Sequence, residues 1–155
     1  MSKVRLQFSD VPTDWALCFN KECPLHAACL RYEAGKALPD DTTAAMCVTP
    51  KAGIGSDCKR FRIAETITVA AGFKSLFNKV KHEHYVEMRR KTMDYLGGET
   101  AFYRYRNGKY RLSPEQQEWI HRLFGRYGYT GLVEFDEYHD EYRFFDNGNH
   151  ATFVR

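Results

Sequence analysis

No apolar run in this 155-residue chain approaches the roughly 18 residues needed to span a bilayer. A membrane-spanning helix is therefore not expected. The opening Met1-Ser2-Lys3-Val4-Arg5 lacks the apolar stretch of a secretory signal, so a cytoplasmic location is the corresponding expectation. The last 97 residues contain no cysteine. Neither a G-x-G-x-x-G nor a Walker phosphate loop is present, and there is no G-x-S-x-G elbow and no H-E-x-x-H pair. His82-Glu83-His84 with Glu87 does not make up the deficit, because histidines two apart do not share a helical face. Glu118-x-x-His121 occurs once, whereas a di-iron bundle needs it twice. Asp136, Glu137, His139 and Asp140 read as an exposed helix face. These absences point to a protein that is not an enzyme.

What is present is ordinary globular composition, 43% hydrophobic and 28% charged, with eleven Phe, ten Tyr and two Trp to build a core. The length suits one compact domain. The net charge of +3 is unevenly spread. Residues 1–58 carry six Lys/Arg against seven Asp/Glu, residues 59–126 fifteen against seven, and residues 127–155 two against six. A segment with a surplus of eight positive charges is a cue for contact with a polyanion. Neutralisation by the acidic end of the same chain explains it equally well.

Along the chain, the alternation of Val4, Leu6 and Phe8 predicts a strand over 3–8. Pro24 suits the first turn of a helix that continues through Arg31 and stops near Gly35. Ala44 to Val48 is a candidate short strand, and the β-branched run Ile63 to Val69 predicts another, ending at Gly72. Phe73, Leu76, Phe77 and Val80 have helical spacing, as do Tyr85, Met88, Met93 and Leu96 before Gly97-Gly98. Ser113-Pro114-Glu115-Gln116 is a capping box with proline at the first helical position. It opens a helix with Trp119, Ile120, Leu123, Phe124 and Tyr127 on one face and Gly128 past its end. Phe135, Tyr138, Tyr142 and Phe145 predict an acidic C-terminal helix. Asn147-Gly148 then turns into a short strand over Thr152 to Val154.

Cys18, Cys23, Cys29, Cys47 and Cys58 all fall in the first 58 residues. An odd number leaves one thiol over in any full disulfide scheme, and a reducing compartment keeps thiols free for metal. Cys18-x4-Cys23-x5-Cys29 supplies three ligands, and Cys47 or Cys58 a fourth. Thiolates suit tetrahedral zinc or an iron–sulfur cluster. Structural zinc is the leading expectation, an iron–sulfur cluster its rival, and buried free thiols the alternative to both. His26 is a further candidate ligand, although a helix-surface position explains it as well.

Residues 101–112 read as a β-hairpin turning at Asn107-Gly108. Alternation then places Arg104, Arg106, Lys109 and Arg111 on one face, and Tyr103, Tyr105, Tyr110 and Leu112 on the other. Like charges facing each other are destabilising. Relief comes from a nucleic-acid phosphate backbone, from the acidic residues Glu134, Asp136, Glu137, Asp140 and Glu141 of the same chain, or from solvent.

The run Trp15 to Arg31, with Cys18-Phe19-Asn20-Lys21-Glu22-Cys23-Pro24 and Cys29-Leu30-Arg31, is similar to an uncharacterised family of short bacterial proteins. Cys58-Lys59-Arg60-Phe61, Tyr103 to Gly108, Ser113 to Gln117 and Phe135-Asp136-Glu137-Tyr138 extend the resemblance. It implies a bacterial cytoplasmic origin and favours Cys58 over Cys47 as the fourth ligand. It brings no activity with it.

The sequence thus predicts a single α+β domain over 1–155. Its cysteine-stapled part covers 1–58, and a helix–hairpin–helix part with a basic hairpin and an acidic C-terminal helix covers 59–155. The function expected is non-enzymatic nucleic-acid binding with a structural metal site. A protein-interaction module whose basic face meets an acidic protein, and an iron–sulfur redox or sensor protein, are the alternatives.

Overall fold

A computed structural model describes residues 4–145. The protein is of the α+β class, with four α-helices and one three-stranded sheet among the described residues. The chain divides into two compact units, with the boundary between Thr66 and Ile67. The first unit runs to Thr66 and takes back residues 142–144, while the second covers 67–141. No helix among the described residues is long and apolar enough to cross a membrane.

The first unit contains one α-helix, α1 (Leu30–Lys36), and four single-turn 3-10 helices. Its remaining backbone bonds join loops distant in sequence. Leu17 donates to Met46 O at 2.9 Å and accepts from Val48 N at 2.8 Å. Leu30 donates to Arg62 O at 2.6 Å, and Ala64 to Ala28 O at 2.8 Å. The strand expected over 3–8 does not form in the described part, where residues 8–10 make a 3-10 turn instead. The candidate strand at 44–48 reduces to a single bridge between Leu17 and Cys47. The helix expected from Pro24 is a 3-10 turn at His26–Ala28, then a break at Cys29, then α1. Cys29 is extended (φ −98°, ψ 120°) because it pairs with Ile63, and that pairing is incompatible with a continuous helix.

In the second unit β1 (Thr66–Ala71) is the central strand. It pairs antiparallel with β2 (Arg111–Leu112) through Ala70↔Leu112 and Ala71↔Arg111, and β3 (Glu137–Tyr142) lies on its other side. Three helices complete the unit: α2 (His82–Leu96), α3 (Glu99–Arg106) and α4 (Pro114–Arg126). The core holds Phe73, Phe102, Leu112, Ile120 and Phe124, each at most 1% exposed. The Ser113 box forms as the sequence predicts: Ser113 Oγ accepts from Gln116 N, and Gln116 Oε1 accepts from Ser113 N at 2.9 Å. Gly97 (φ 99°) ends α2 where expected.

Three expectations fail here. Phe73 to Val80 is a succession of turns, with Leu76, Asn78 and Val80 each bonded three residues back, so i, i+3 spacing of apolar residues is met without an α-helix. The basic β-hairpin is absent. Residues 99–106 are helical, with Phe102 and Tyr105, one turn apart, buried on one face. Asn107-Gly108 closes that helix, Gly108 taking the left-handed conformation (φ 76°). The acidic C-terminal helix is β3, because the otherwise open edge of β1 is filled by 137–142. The turn at Asn147-Gly148 and the strand at 152–154 lie outside the described residues.

Candidate metal centre

The first unit brings Cys18, Cys23, Cys29 and Cys58 to the wall of one cavity of about 390 Å³. All four are free thiols. Each is positioned by backbone. Cys18 follows the bridged Leu17 and donates its amide to Arg31 O at 3.0 Å. Gly35 of α1 packs beneath it so closely that a Cβ there would overlap the Cys18 carbonyl oxygen. Cys23 heads the turn into His26–Ala28, and Cys29 sits between that turn and α1. Cys58 ends the 3-10 turn Gly55–Asp57, its amide bonded to Gly55 O. Cys47 is exposed and is not part of the cavity wall. Among the described residues, no three His, Cys, Asp or Glu side chains are gathered to hold a single metal ion.

The cavity also presents hydrogen-bond donors and cationic side chains. Gly55 N–H donates to Cys23 Sγ at 3.2 Å, and a thiolate accepts such a bond better than a neutral thiol. Arg31 and Arg60 also line the cavity. Arg31 is held rigidly: its Nε donates to Arg60 O at 2.7 Å, its Nη1 to Ala16 O at 2.8 Å, and its guanidinium stacks 4.0 Å from the Trp15 ring. Among the described residues it has no carboxylate partner. Burial pushes the Arg31 pKa down, as does neighbouring Arg60, whereas Cys29 and Cys58 pull it up. Arg31, half-buried and without a carboxylate partner among the described residues, lines the same cavity as the four cysteines.

His26 lines the same cavity. Its Nδ1 lies 2.7 Å from Cys23 O, which can only accept, so Nδ1 carries a proton and donates to it. The sequence left His26 between a ligand and a helix-surface position. The turn at His26–Ala28 sets its half-buried side chain in the cavity wall, three residues from Cys23.

The four basic residues assigned to the hairpin do not share a strand face. Arg104 and Arg106 belong to α3, Lys109 follows it in an exposed position, and Arg111 is in β2. Arg104 donates to Tyr110 Oη. Arg111 pairs with Glu141 at 3.3 Å, so for this residue the acidic partner is the chain's own β3. The remaining polar clusters are engaged locally. His84 Nδ1 meets Tyr129 Oη at 2.7 Å, and Glu87 pairs with Lys91 at 2.8 Å. Glu118 pairs with Arg122, and Asp140 Oδ1 accepts from Thr68 Oγ1 at 2.7 Å.

Fold and cavity together define a small α+β protein with a four-cysteine cavity in its first unit. The chain belongs to a family of unknown function, DUF6078, whose model matches residues 1–144. No curated protein and no solved structure matches it.

Proposed function

We propose that this protein is a metal–thiolate protein whose first unit holds a metal centre through Cys18, Cys23, Cys29 and Cys58. The observation that carries the reading is that these four cysteines line one cavity while the fifth, Cys47, stands outside it. The Gly55 amide on Cys23 and the carboxylate-free guanidinium of Arg31 supply the donor and the charge that a thiolate set requires. Zinc and an iron–sulfur cluster both accept four thiolates. With all four positions taken by protein, the centre has no open site for substrate, and its role is to shape the unit. Full-length protein purified anaerobically without chelator is expected to carry one centre per chain. Cys47→Ser retains it and Cys58→Ser loses it. A chain free of transition metal, or a loss caused by Cys47→Ser, overturns the reading.

Non-enzymatic nucleic-acid binding is the second reading, supported by exposed Arg90, Arg104 and Lys109 in the unit that carries the positive surplus. Phosphate contacts from these residues require affinity for random DNA or RNA to fall with salt, and Arg104→Gln with Lys109→Gln to flatten that dependence. Affinity unchanged across a salt series favours the interaction-module alternative, with an acidic protein as the partner.

A further inference from the structure

Resting on the nucleic-acid reading of the second unit, we propose that the basic surface of α2 and α3 takes a single strand in preference to a duplex. A base stacks on Tyr103 while Arg89, Arg90, Arg104 and Lys109 meet the phosphates. The helical state of 99–106 is what makes this surface. It buries Tyr105 at 3% exposure and leaves Tyr103, two residues before it, at 39%.

The charge is not neutralised within the chain. Arg89 and Arg90 lie on α2, Arg104 on α3 and Lys109 just past its end. Among the described residues none of the four forms an ion pair with a carboxylate. Lys91, Arg111 and Arg122 of the same unit each have a glutamate. The Lys109 amide donates to Arg104 O at 2.9 Å, which keeps those two cations at one end of α3. Phosphates gain from such a group by releasing their counterions.

Charge alone serves any polyanion, and the setting of the arginines narrows the choice. Arg89 Nη2 donates to Tyr103 Oη at 2.7 Å, and its guanidinium carbon stands 5.3 Å from the Phe102 ring centre and 5.7 Å from that of Tyr103. Arg104 repeats the pattern on Tyr110, bonded to its hydroxyl with the guanidinium carbon 5.4 Å from the ring centre. Two long side chains are thus ordered against aromatic rings before any partner arrives, which lowers the entropy lost on binding. Unstacked bases pack on aromatic rings and on guanidinium planes. A duplex keeps its base faces inside and offers this surface phosphates alone, whereas a single strand offers both.

The test is fluorescence anisotropy of the full-length protein with a labelled oligonucleotide of mixed sequence, as single-stranded DNA, as single-stranded RNA and as the duplex, at one salt concentration. A single strand of either sugar is expected to bind about tenfold more tightly than the duplex. Tyr103→Ala should lose about tenfold of that affinity and leave duplex binding unchanged. Tyr103→Phe keeps the ring, drops the hydroxyl and should retain the affinity. Unlabelled polyglutamate, which has charge without bases, should compete far less well than unlabelled strand. A duplex bound as tightly as the strand, or a Tyr103→Ala chain with unchanged single-strand affinity, overturns the inference and leaves the nucleic-acid reading standing. Polyglutamate competing as well as the strand overturns it in favour of an acidic protein partner. Failure to bind any nucleic acid at low salt removes both. The strand-to-duplex ratio of the unaltered protein decides the matter even where a variant unfolds.

Discussion

Among the described residues, the first unit buries seven residues of the apolar set, Cys29 included, and the second buries sixteen. The second unit has what a hydrophobic core needs: three helices, a sheet and a cluster of aromatic rings, with Phe73 against Phe102 at 5.3 Å and Phe77 against Phe124 at 5.5 Å. The first unit is mostly loops, with one seven-residue helix and several large apolar side chains facing solvent, among them Phe19, Met46, Ile54 and Ile63. A unit of that size with so thin a core needs a staple. The four-cysteine cavity is the feature that can supply one.

On the proposed metal-centre reading, removal of the metal breaks the comparison most sharply. A structural thiolate-bound ion contributes roughly 10–16 kcal/mol to the folding of small domains such as zinc fingers. Treatment with chelator is expected to bring amide exchange over residues 17–64 close to unfolded rates, while α2–α4 stay protected. Equal protection in both units after metal loss would show that the first unit stands on its own core. The converse is Phe102→Ala, which empties a site 1% exposed in the second core and is expected to cost about 3–5 kcal/mol. Denaturant melts measure that loss, and metal content should not change.

Gly35→Ala probes the first unit without touching a sulfur. Its new methyl has to displace the Cys18 carbonyl, an overpacking cost of about 1–3 kcal/mol. Faster release of metal to a chromogenic chelator is the expected result. An unchanged release rate would mean that Cys18 does not need its present position.

The parts of the fold legible in the sequence are those where one local device has a single meaning. Ser113-Pro114-Glu115-Gln116 satisfies orphan amides at a helix start, and α4 begins there. Asn107-Gly108 has two meanings, since the left-handed glycine that turns a hairpin also ends a helix. What decides is whether Phe102 and Tyr105 are buried together, and only the tertiary core fixes that. The acidic segment 137–142 became a strand for a similar reason: the edge of β1 is a non-local demand that aromatic spacing does not reveal. At the candidate site, clustering of Cys18, Cys23 and Cys29 was visible as spacing. The Arg31 stack on Trp15 and the Gly55 amide on Cys23 join residues 16 and 32 positions apart, beyond any local pattern.

Ser113→Ala removes a cap in the second unit and is expected to cost about 1 kcal/mol, read as a shift in its melting midpoint alone. The smallest effect belongs to the half-exposed ladder on α2. Glu87 is held below the usual carboxylate range by its hydrogen bonds, first with Lys91 and then with Tyr127, and Lys91 is raised by the same partners. A carboxylate depressed in the folded state contributes stability above its unfolded pKa and loses it as pH falls through the folded value. A raised lysine contributes below its unfolded pKa and loses it as pH rises through the folded value. The pair therefore stabilises the second unit across neutral pH and fades at both extremes. Glu87→Gln should lower the second unit's melting temperature slightly at neutral pH and not at all in acid below the carboxylate range. Salt should shrink the neutral difference, because the pair is open to solvent. A difference that persists in acid would assign the effect to helix propensity instead of charge.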